Sequence, residues 1–199
     1  MDNKKIEQNY EQILENETAK AEAGDALRKQ LFEYVYLSVK SGKMAEEYKS
    51  ILSSRDKEEA SAVWCYFENK RTILEIDFLE RKLALLQNKI NKLSAKKQPD
   101  EMEIEKLQNY HGEFMLTETK LINLQKHRTR DEIERVNKAI KSYVNDASVL
   151  DASFEEIVKF IKALSKEEKK ALISTYAKSG ESFMLLNAAD LTKLQSFGE

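Results

Sequence analysis

The feature that most constrains this chain is a heptad spacing of apolar residues, interrupted once by the only proline. Before the interruption, steps of three and four residues separate Ile76, Leu79, Leu83, Leu86, Ile90 and Leu93. This spacing places one apolar face on a helix and is typical of a coiled-coil seam. It predicts a helix from about Lys57 to Leu93. Asp56, with Glu59 three residues later, indicates a capping box at its start.

A second helix is predicted after the proline. Pro99 disfavours helical geometry at Gln98 and suits the first turn of a new helix, so residues 94–100 are expected to form a short turn. Apolar spacing then resumes at Ile104, Leu107, His111 and Phe114, moves to Met115 and Ile122, and returns at Ile133, Val136, Ile140 and Tyr143. This pattern predicts one helix over about 100–145, antiparallel to the first because the turn is short.

The position of the turn also predicts a register between the two helices. Folding the chain about residue 97 places Ile90 opposite Ile104, and Leu83 near His111. His111 is therefore expected to be a polar seam residue, which in a coiled coil more often sets register than performs catalysis. Basic and acidic residues should pair across the seam near the tip: Lys89, Lys92, Lys96 and Lys97 with Asp100, Glu101, Glu103 and Glu105.

Shorter helices are predicted on both sides of this hairpin. Before the hairpin they cover residues 6–15, 26–43 and 45–54, and Gly42 is the predicted stop of the second. After the hairpin they cover residues 154–164, 166–178 and 181–197. Ser153 with Glu156, and Ser165 with Glu168, indicate capping boxes. We therefore predict an all-α protein with a long antiparallel coiled-coil hairpin over residues 56–145, called the stalk, whose tip lies near 94–100. Residues 1–55 and 146–199 are expected to form a small helical head at its open end.

Composition excludes several classes of protein. The 199 residues are 41% hydrophobic and 34% charged with a net charge of −2, a balance that does not point to a polyanion or an anionic membrane. No apolar run reaches the length of a membrane span, and the N-terminus lacks a secretory signal. The single cysteine, Cys65, has no partner for an internal disulfide. A cytoplasmic protein without a membrane partner is expected.

Catalytic and metal-binding motifs are not found in the sequence. It contains neither a glycine-rich phosphate loop nor a nucleophile elbow. His127 and Asp131 would supply half a metal site, but no second His or Cys completes it. The aromatic run at residues 64–67 would suit either a base-stacking platform or a core, and its helical setting favours the core. We predict that the protein is not an enzyme and needs no cofactor or metal.

Two functional hypotheses follow. A long stalk without catalytic residues favours a non-enzymatic helical adaptor, regulator or inhibitor that docks on a larger protein or nucleoprotein complex, and a homodimer is a further expectation. The tip lysines, Lys96 and Lys97, are candidate contacts. The alternative is a nucleic-acid-binding subunit, because the predicted register brings two basic clusters together at mid-stalk. These form the basic patch: Lys70, Arg71, Lys120, Lys126, Arg128 and Arg130. The patch would instead be an ordinary solvated face if neighbouring acids neutralise it: Glu68, Asp131, Glu132 and Glu134.

Overall fold

The computed structural model describes residues 26, 29–30, 32–51, 54–165 and 167–168, and every regular element in these ranges is helical. Helical residues 32–50 form α1. The elements that follow are α2 (Ser54–Ser94), α3 (Glu101–Gln125), α4 (Arg130–Tyr143), a 3₁₀ helix (Ala147–Leu150) and α5 (Phe154–Ala163). The all-α prediction is confirmed for the described residues. None of the helices described is long and apolar enough to cross a bilayer.

α2 agrees with the predicted first helix of the hairpin to within a turn at each end. Its 41 residues span about 60 Å at 1.5 Å per residue. Leu79, Leu86 and Ile90 are buried on it, as the heptad spacing predicts. The predicted capping box is wrong, because α2 begins at Ser54. Glu59 accepts a hydrogen bond from the backbone N–H of Asn145 at 3.1 Å instead, and so ties the start of α2 to the end of α4.

The predicted single helix over residues 100–145 is wrong, because two helices, α3 and α4, occupy this stretch. α3 ends at Gln125, and Thr129 caps α4 in a capping box with Glu132. The Glu132 carboxylate accepts a hydrogen bond from the Thr129 N–H at 2.7 Å. Such a box satisfies the free N–H groups of a new first turn, which makes the break stable. The return of the apolar spacing at Ile133 follows this boundary, whereas the shift to Met115 and Ile122 lies inside α3.

α3 turns a different face toward α2 than predicted. Thr117 and the buried or partly buried apolar residues along it keep an unbroken heptad spacing: Leu107, Tyr110, Phe114, Thr117, Leu121 and Leu124. Ile104 and His111 are exposed, so the predicted register and the seam role of His111 are both wrong. The buried polar residue on this face is Thr117, whose hydroxyl donates to the Glu113 carbonyl at 2.8 Å. The observed face carries three leucines and two aromatic residues, and burying them removes a large apolar surface from water.

Lysines of α2 and of the turn that follows it show how α3 runs against α2. Lys96 pairs with Glu103, and the Lys89 ammonium lies 5.0 Å from the centroid of the Tyr110 ring. Further from the turn, Lys82 lies 2.9 Å from Glu113. The partners move forward along α3 as the lysines move back from the turn into α2, so the two helices are antiparallel. Of the acid–base pairs predicted near the tip, the one between Lys96 and Glu103 forms.

An aromatic-rich core joins α1, the first half of α2 and α5. Its buried members are Phe32, Tyr34, Val35, Leu37, Phe67, Leu74, Phe78, Ile157 and Ile161. At its edge the rings of Tyr36 and Phe160 meet edge to face, with centroids 5.0 Å apart. Tyr66 and Phe67 are buried, which places these two residues of the 64–67 run in the core, as predicted, and Trp64 and Cys65 are partly buried. The division of the chain into stalk and head stays a prediction.

The predicted helices outside the hairpin meet different outcomes. The capping boxes of Ser153 with Glu156, and of Ser165 with Glu168, are confirmed. The predicted stop at Gly42 is wrong, because α1 continues through it to residue 50. The described residues contain no glycine with positive φ, the conformation that a glycine stop uses. The predicted helices at 6–15 and 181–197, and most of 166–178, lie outside the described residues.

Replacing Gly42 by alanine tests the continuity of α1. A Cβ at this position would meet nothing within 4 Å. In a helix interior the change should raise the free energy of unfolding by about 0.5–1 kcal/mol, because alanine loses less backbone entropy on folding. Urea denaturation of Gly42→Ala measures this. A decrease would indicate a left-handed stop at Gly42 and would contradict a continuous α1.

Candidate functional site

Exposed apolar side chains are concentrated on α3. Five of the nine large apolar residues found exposed among the described residues belong to it: Met102 63%, Ile104 44%, Met115 68%, Leu116 66% and Ile122 59%. Single exposed apolar residues are normal on a soluble protein, whereas grouped ones mark binding surfaces. The positions of these five around the helix axis therefore decide what they indicate.

Three of the five share one side of α3 with His111. At 3.6 residues per turn, Ile104, His111, Met115 and Ile122 lie within about 40° of one another around the helix axis. We call these four residues the α3 stripe; all four are exposed. The stripe is centred about 110° around the axis from the face that packs on α2. α3 thus has two apolar faces, of which one packs within the described part of the chain.

Leu116 belongs to a different surface, although it follows Met115 in sequence. It points about 100° away and borders a cleft of about 360 Å³ between α2 and α3. Lys82 and Glu113 lie in this cleft, and their ion pair of 2.9 Å is largely buried. The other lining residues are Gln108, Asn109, Gly112, Thr117 and Lys120. The lining contains no histidine and no cysteine.

Lys70, from the basic patch, is held by carboxylates. Its ammonium lies 2.9 Å from Glu33 and 3.3 Å from Asp151. Tyr66 donates to Asp151 at 3.0 Å, and Lys141 pairs with the other Asp151 oxygen at 2.5 Å. Burial acts to raise the pKa of Asp151, but hydrogen bonds from Lys141 and Tyr66, with the charge of Lys70, bring it below its ordinary value. Lys70 therefore joins α1, α2 and the Asp151 segment.

Two arginines of the basic patch are paired in the same way. Arg71 lies 2.7 Å from Glu68 on α2. Arg130 lies 2.6 Å from Asp77 and 3.0 Å from Glu134, and so connects α4 to α2. These contacts commit both guanidinium groups to carboxylates of the protein itself, which leaves less charge for phosphate.

The other predicted contact residues are more open to solvent. Lys120, Lys126 and Lys97 are exposed. Lys120 acts on the carboxyl group of Glu75, whose pKa is raised by burial and by the charge of Glu68. The charges of Arg71 and Lys120 oppose this rise. Arg128 is also exposed, and its guanidinium lies 3.5 Å from the side-chain oxygen of Asn69. The structure thus divides the basic patch among separate contacts, as expected of a solvated charged face.

A buried pair of asparagines was missed by the sequence reasoning. Asn69 on α2 donates to the side-chain oxygen of Asn137 on α4 at 2.9 Å, and both residues are buried. Asn137 lies at heptad spacing between Ile133 and Ile140, which are also buried. The prediction had placed Val136 there, and Val136 is exposed. A polar residue at this spacing was the available signal, since such residues set register in helical interfaces.

Metal binding receives no support from the geometry. Among the described residues, no three His, Cys, Asp or Glu side chains lie close enough together to hold an ion. His127 and Asp131, the predicted half-site, are both exposed. Cys65 is a free, partly buried thiol beside the core that Tyr66 forms with α4 and the 3₁₀ helix.

The asparagine pair predicts a coupled loss of stability. Asn137→Ala leaves the Asn69 amide without its partner, so the free energy of unfolding should fall by about 1–3 kcal/mol. Adding Asn69→Ala to this variant should lower the free energy of unfolding by less than Asn69→Ala lowers it in the wild-type chain, because the two residues interact. Urea denaturation of both single variants and the double variant measures this. Lys138→Ala, an exposed neighbour, should change stability by less than about 0.5 kcal/mol. Additive effects would contradict the pair.

The lowered pKa of Asp151 predicts a pH dependence. A carboxyl group with a lowered pKa in the folded state stabilises the fold above its unfolded pKa of about 3.9, and this contribution is lost as the pH falls through the folded value. At neutral pH, Asp151→Asn should lower the free energy of unfolding by about 1 kcal/mol or less, since the site is half exposed. The difference in free energy of unfolding between the wild-type chain and Asp151→Asn should disappear below about pH 4. Denaturation curves of both chains across pH measure this difference. A difference that stays constant with pH would refute the lowered pKa of Asp151.

No family model, curated protein or solved structure matches this chain. The function is therefore inferred from the residues of the chain and their arrangement.

Proposed function

We propose that this protein is a non-enzymatic binding protein, a helical adaptor or regulator that docks on a protein partner through the α3 stripe. The observation that supports this proposal is the stripe itself. Ile104, Met115 and Ile122 are exposed on one side of a helix that already packs another face on α2. Apolar anchors separated by whole turns of a helix are the usual pattern of a helix that fits a groove or another helix.

The free energy gained by burying the side chains of the α3 stripe favours a state in which a partner covers it. Burying an isoleucine or methionine side chain completely is worth about 1.5–3 kcal/mol relative to leaving it in water. Met115 is the most exposed member, and methionine adapts to irregular partner surfaces. A few such anchors supply most of the binding energy in typical interfaces. The stripe has the composition of an interface centre.

The proposal gives the antiparallel helices α2 and α3 the role of a coiled-coil stalk. The stalk would hold the stripe away from the aromatic core of α1, α2 and α5, where a larger complex can reach it. A free, partly buried Cys65 suits a reducing compartment, so we propose that this binding takes place in the cytoplasm.

The alternative proposal, nucleic-acid binding through the basic patch, has weaker support. Lys70, Arg71 and Arg130 each lie within ion-pair distance of a carboxylate. Binding to phosphates would then depend on Lys120, Lys126 and Arg128, which are exposed. Such binding would weaken steeply with salt, whereas binding through the apolar stripe would change little.

Neighbouring residues of α3 provide a matched test of the stripe. Met115→Glu places a charge in the stripe, and Leu116→Glu places the same charge about 100° away on an equally exposed position. Met115→Glu should weaken association with the native partner by at least about tenfold, and Leu116→Glu by less than about threefold. Circular dichroism should show unchanged helicity for both.

Partners are captured with the tagged chain from an extract of its source cells. The capture is repeated from cells that also express an untagged copy of the chain. Proteins captured by the wild-type chain are purified, and their affinities for each variant are measured by calorimetry at two salt concentrations. Equal affinities of wild type and Met115→Glu would refute the stripe. A partner lost only with nuclease or high salt would favour the basic patch.

A further inference from the structure

The α3 stripe is symmetric along the helix. Ile104 and Ile122 each lie nine residues from residue 113, and His111 and Met115 each lie two residues from it. If two copies of α3 pack antiparallel with residue 113 at the centre, Ile104 of one copy faces Ile122 of the other, and His111 faces Met115. A two-fold axis repeats each contact, so one stripe supplies both sides of the interface.

We infer that the occupant of the α3 stripe is the α3 stripe of a second copy of this chain, packed antiparallel about a two-fold axis. This inference rests on the proposed function, because it names the partner of the same surface. A segment within residues 1–25 or 169–199, or an unrelated protein, would be a competing occupant.

Charge supports the antiparallel direction. Glu101 and Lys126 are exposed and lie on the same flank of the stripe, within about 20° of each other around the helix axis. They lie twelve and thirteen residues from residue 113, so antiparallel packing brings Glu101 of each copy to Lys126 of the other. Parallel packing would instead bring together the two acidic first turns, which contain Glu101 and Glu103. Like charges placed together disfavour that arrangement.

The helix dipoles and the polar rim agree with this direction. Antiparallel packing places the positive N-terminal end of each α3 beside the negative C-terminal end of the other. Gln108 and Thr119, both exposed, lie on the same flank as Glu101, five and six residues from residue 113. Each would face the other residue across the interface, where a polar rim is typical.

The size of the stripe predicts a weak dimer. From Ile104 to Ile122 the contact would run about 27 Å along the helix. Stable interfaces bury about 1,200–2,000 Å² in total, and a single pair of helices of this length falls toward the lower end. The monomer and dimer should therefore exchange with concentration, with a dissociation constant of about 1–100 µM.

Sedimentation of the purified 199-residue chain from about 1 to about 200 µM tests the inference. The wild-type chain and Leu116→Glu should show the same monomer–dimer equilibrium. Met115→Glu should shift the dissociation constant by at least about tenfold. Ile122→Lys gives the same test if Met115→Glu loses helicity. A wild-type chain that remains monomeric at every concentration overturns the inference.

Charge reversal tests the direction of packing. Glu101→Lys and Lys126→Glu should each weaken the dimer, because each places like charges together at two symmetric sites. The double variant restores opposite charges and should recover most of the affinity. Weakening by both single variants without recovery in the double variant would contradict the antiparallel register.

Cross-linking tests the register directly, in a Cys65→Ala background that removes the native thiol. A mixture of Ile104→Cys and Ile122→Cys chains should form a disulfide between copies under mild oxidation, and either chain alone should not. Dimers cross-linked by Ile104→Cys chains alone would show parallel packing and overturn the inference.

Failure of this inference is distinguishable from failure of the proposed function. If the chain is monomeric but Met115→Glu loses a different protein partner, the second copy is excluded and the stripe remains a docking surface. If the chain dimerises and Met115→Glu leaves both the dimer and partner binding unchanged, the stripe has neither role.

Discussion

The packing of the other helices on α2 is the constraint on which the described structure depends. The first half of α2 carries Phe67, Leu74 and Phe78 into the core shared with α1 and α5. Its middle contacts α4, and its second half lies along α3. A helix of this length cannot be buried by one neighbour, so successive segments of the chain each cover a part of it. The fold of each neighbour is then set by which part of α2 it covers.

Burial on α2 also determines which surfaces are left for binding. α3 carries two apolar faces, and the face with Leu107, Phe114 and Leu121 packs on α2 because it offers more large side chains to the contact. The remaining face, the α3 stripe, is exposed as a consequence. A surface helix of a protein that acts alone needs a single apolar face. A second apolar face on the same helix is the reason to infer a partner.

Polar contacts give the packing its specificity and use much of the charge that the sequence offers. The pair formed by Asn69 and Asn137 joins α2 to α4 within an apolar setting. Arg130 pairs with Asp77 across the same two helices, and Lys70 bridges Glu33 and Asp151. A buried polar pair is satisfied in one register alone, because a slip of one helix past the other leaves both groups without partners. Lys70 and Arg130 of the basic patch are thus part of the framework.

Features that depend on neighbours along the chain could be predicted from the residues alone. The heptad spacing predicted α2, Pro99 predicted the turn before α3, and the Ser153 and Ser165 boxes were found from residues three positions apart. Tertiary structure decided which face of α3 meets α2. Ile104, Met115 and Ile122 follow nearly the same periodicity as Leu107, Phe114 and Leu121, so spacing cannot separate the two faces. Only the total surface buried against α2, a sum over both helices, distinguishes them.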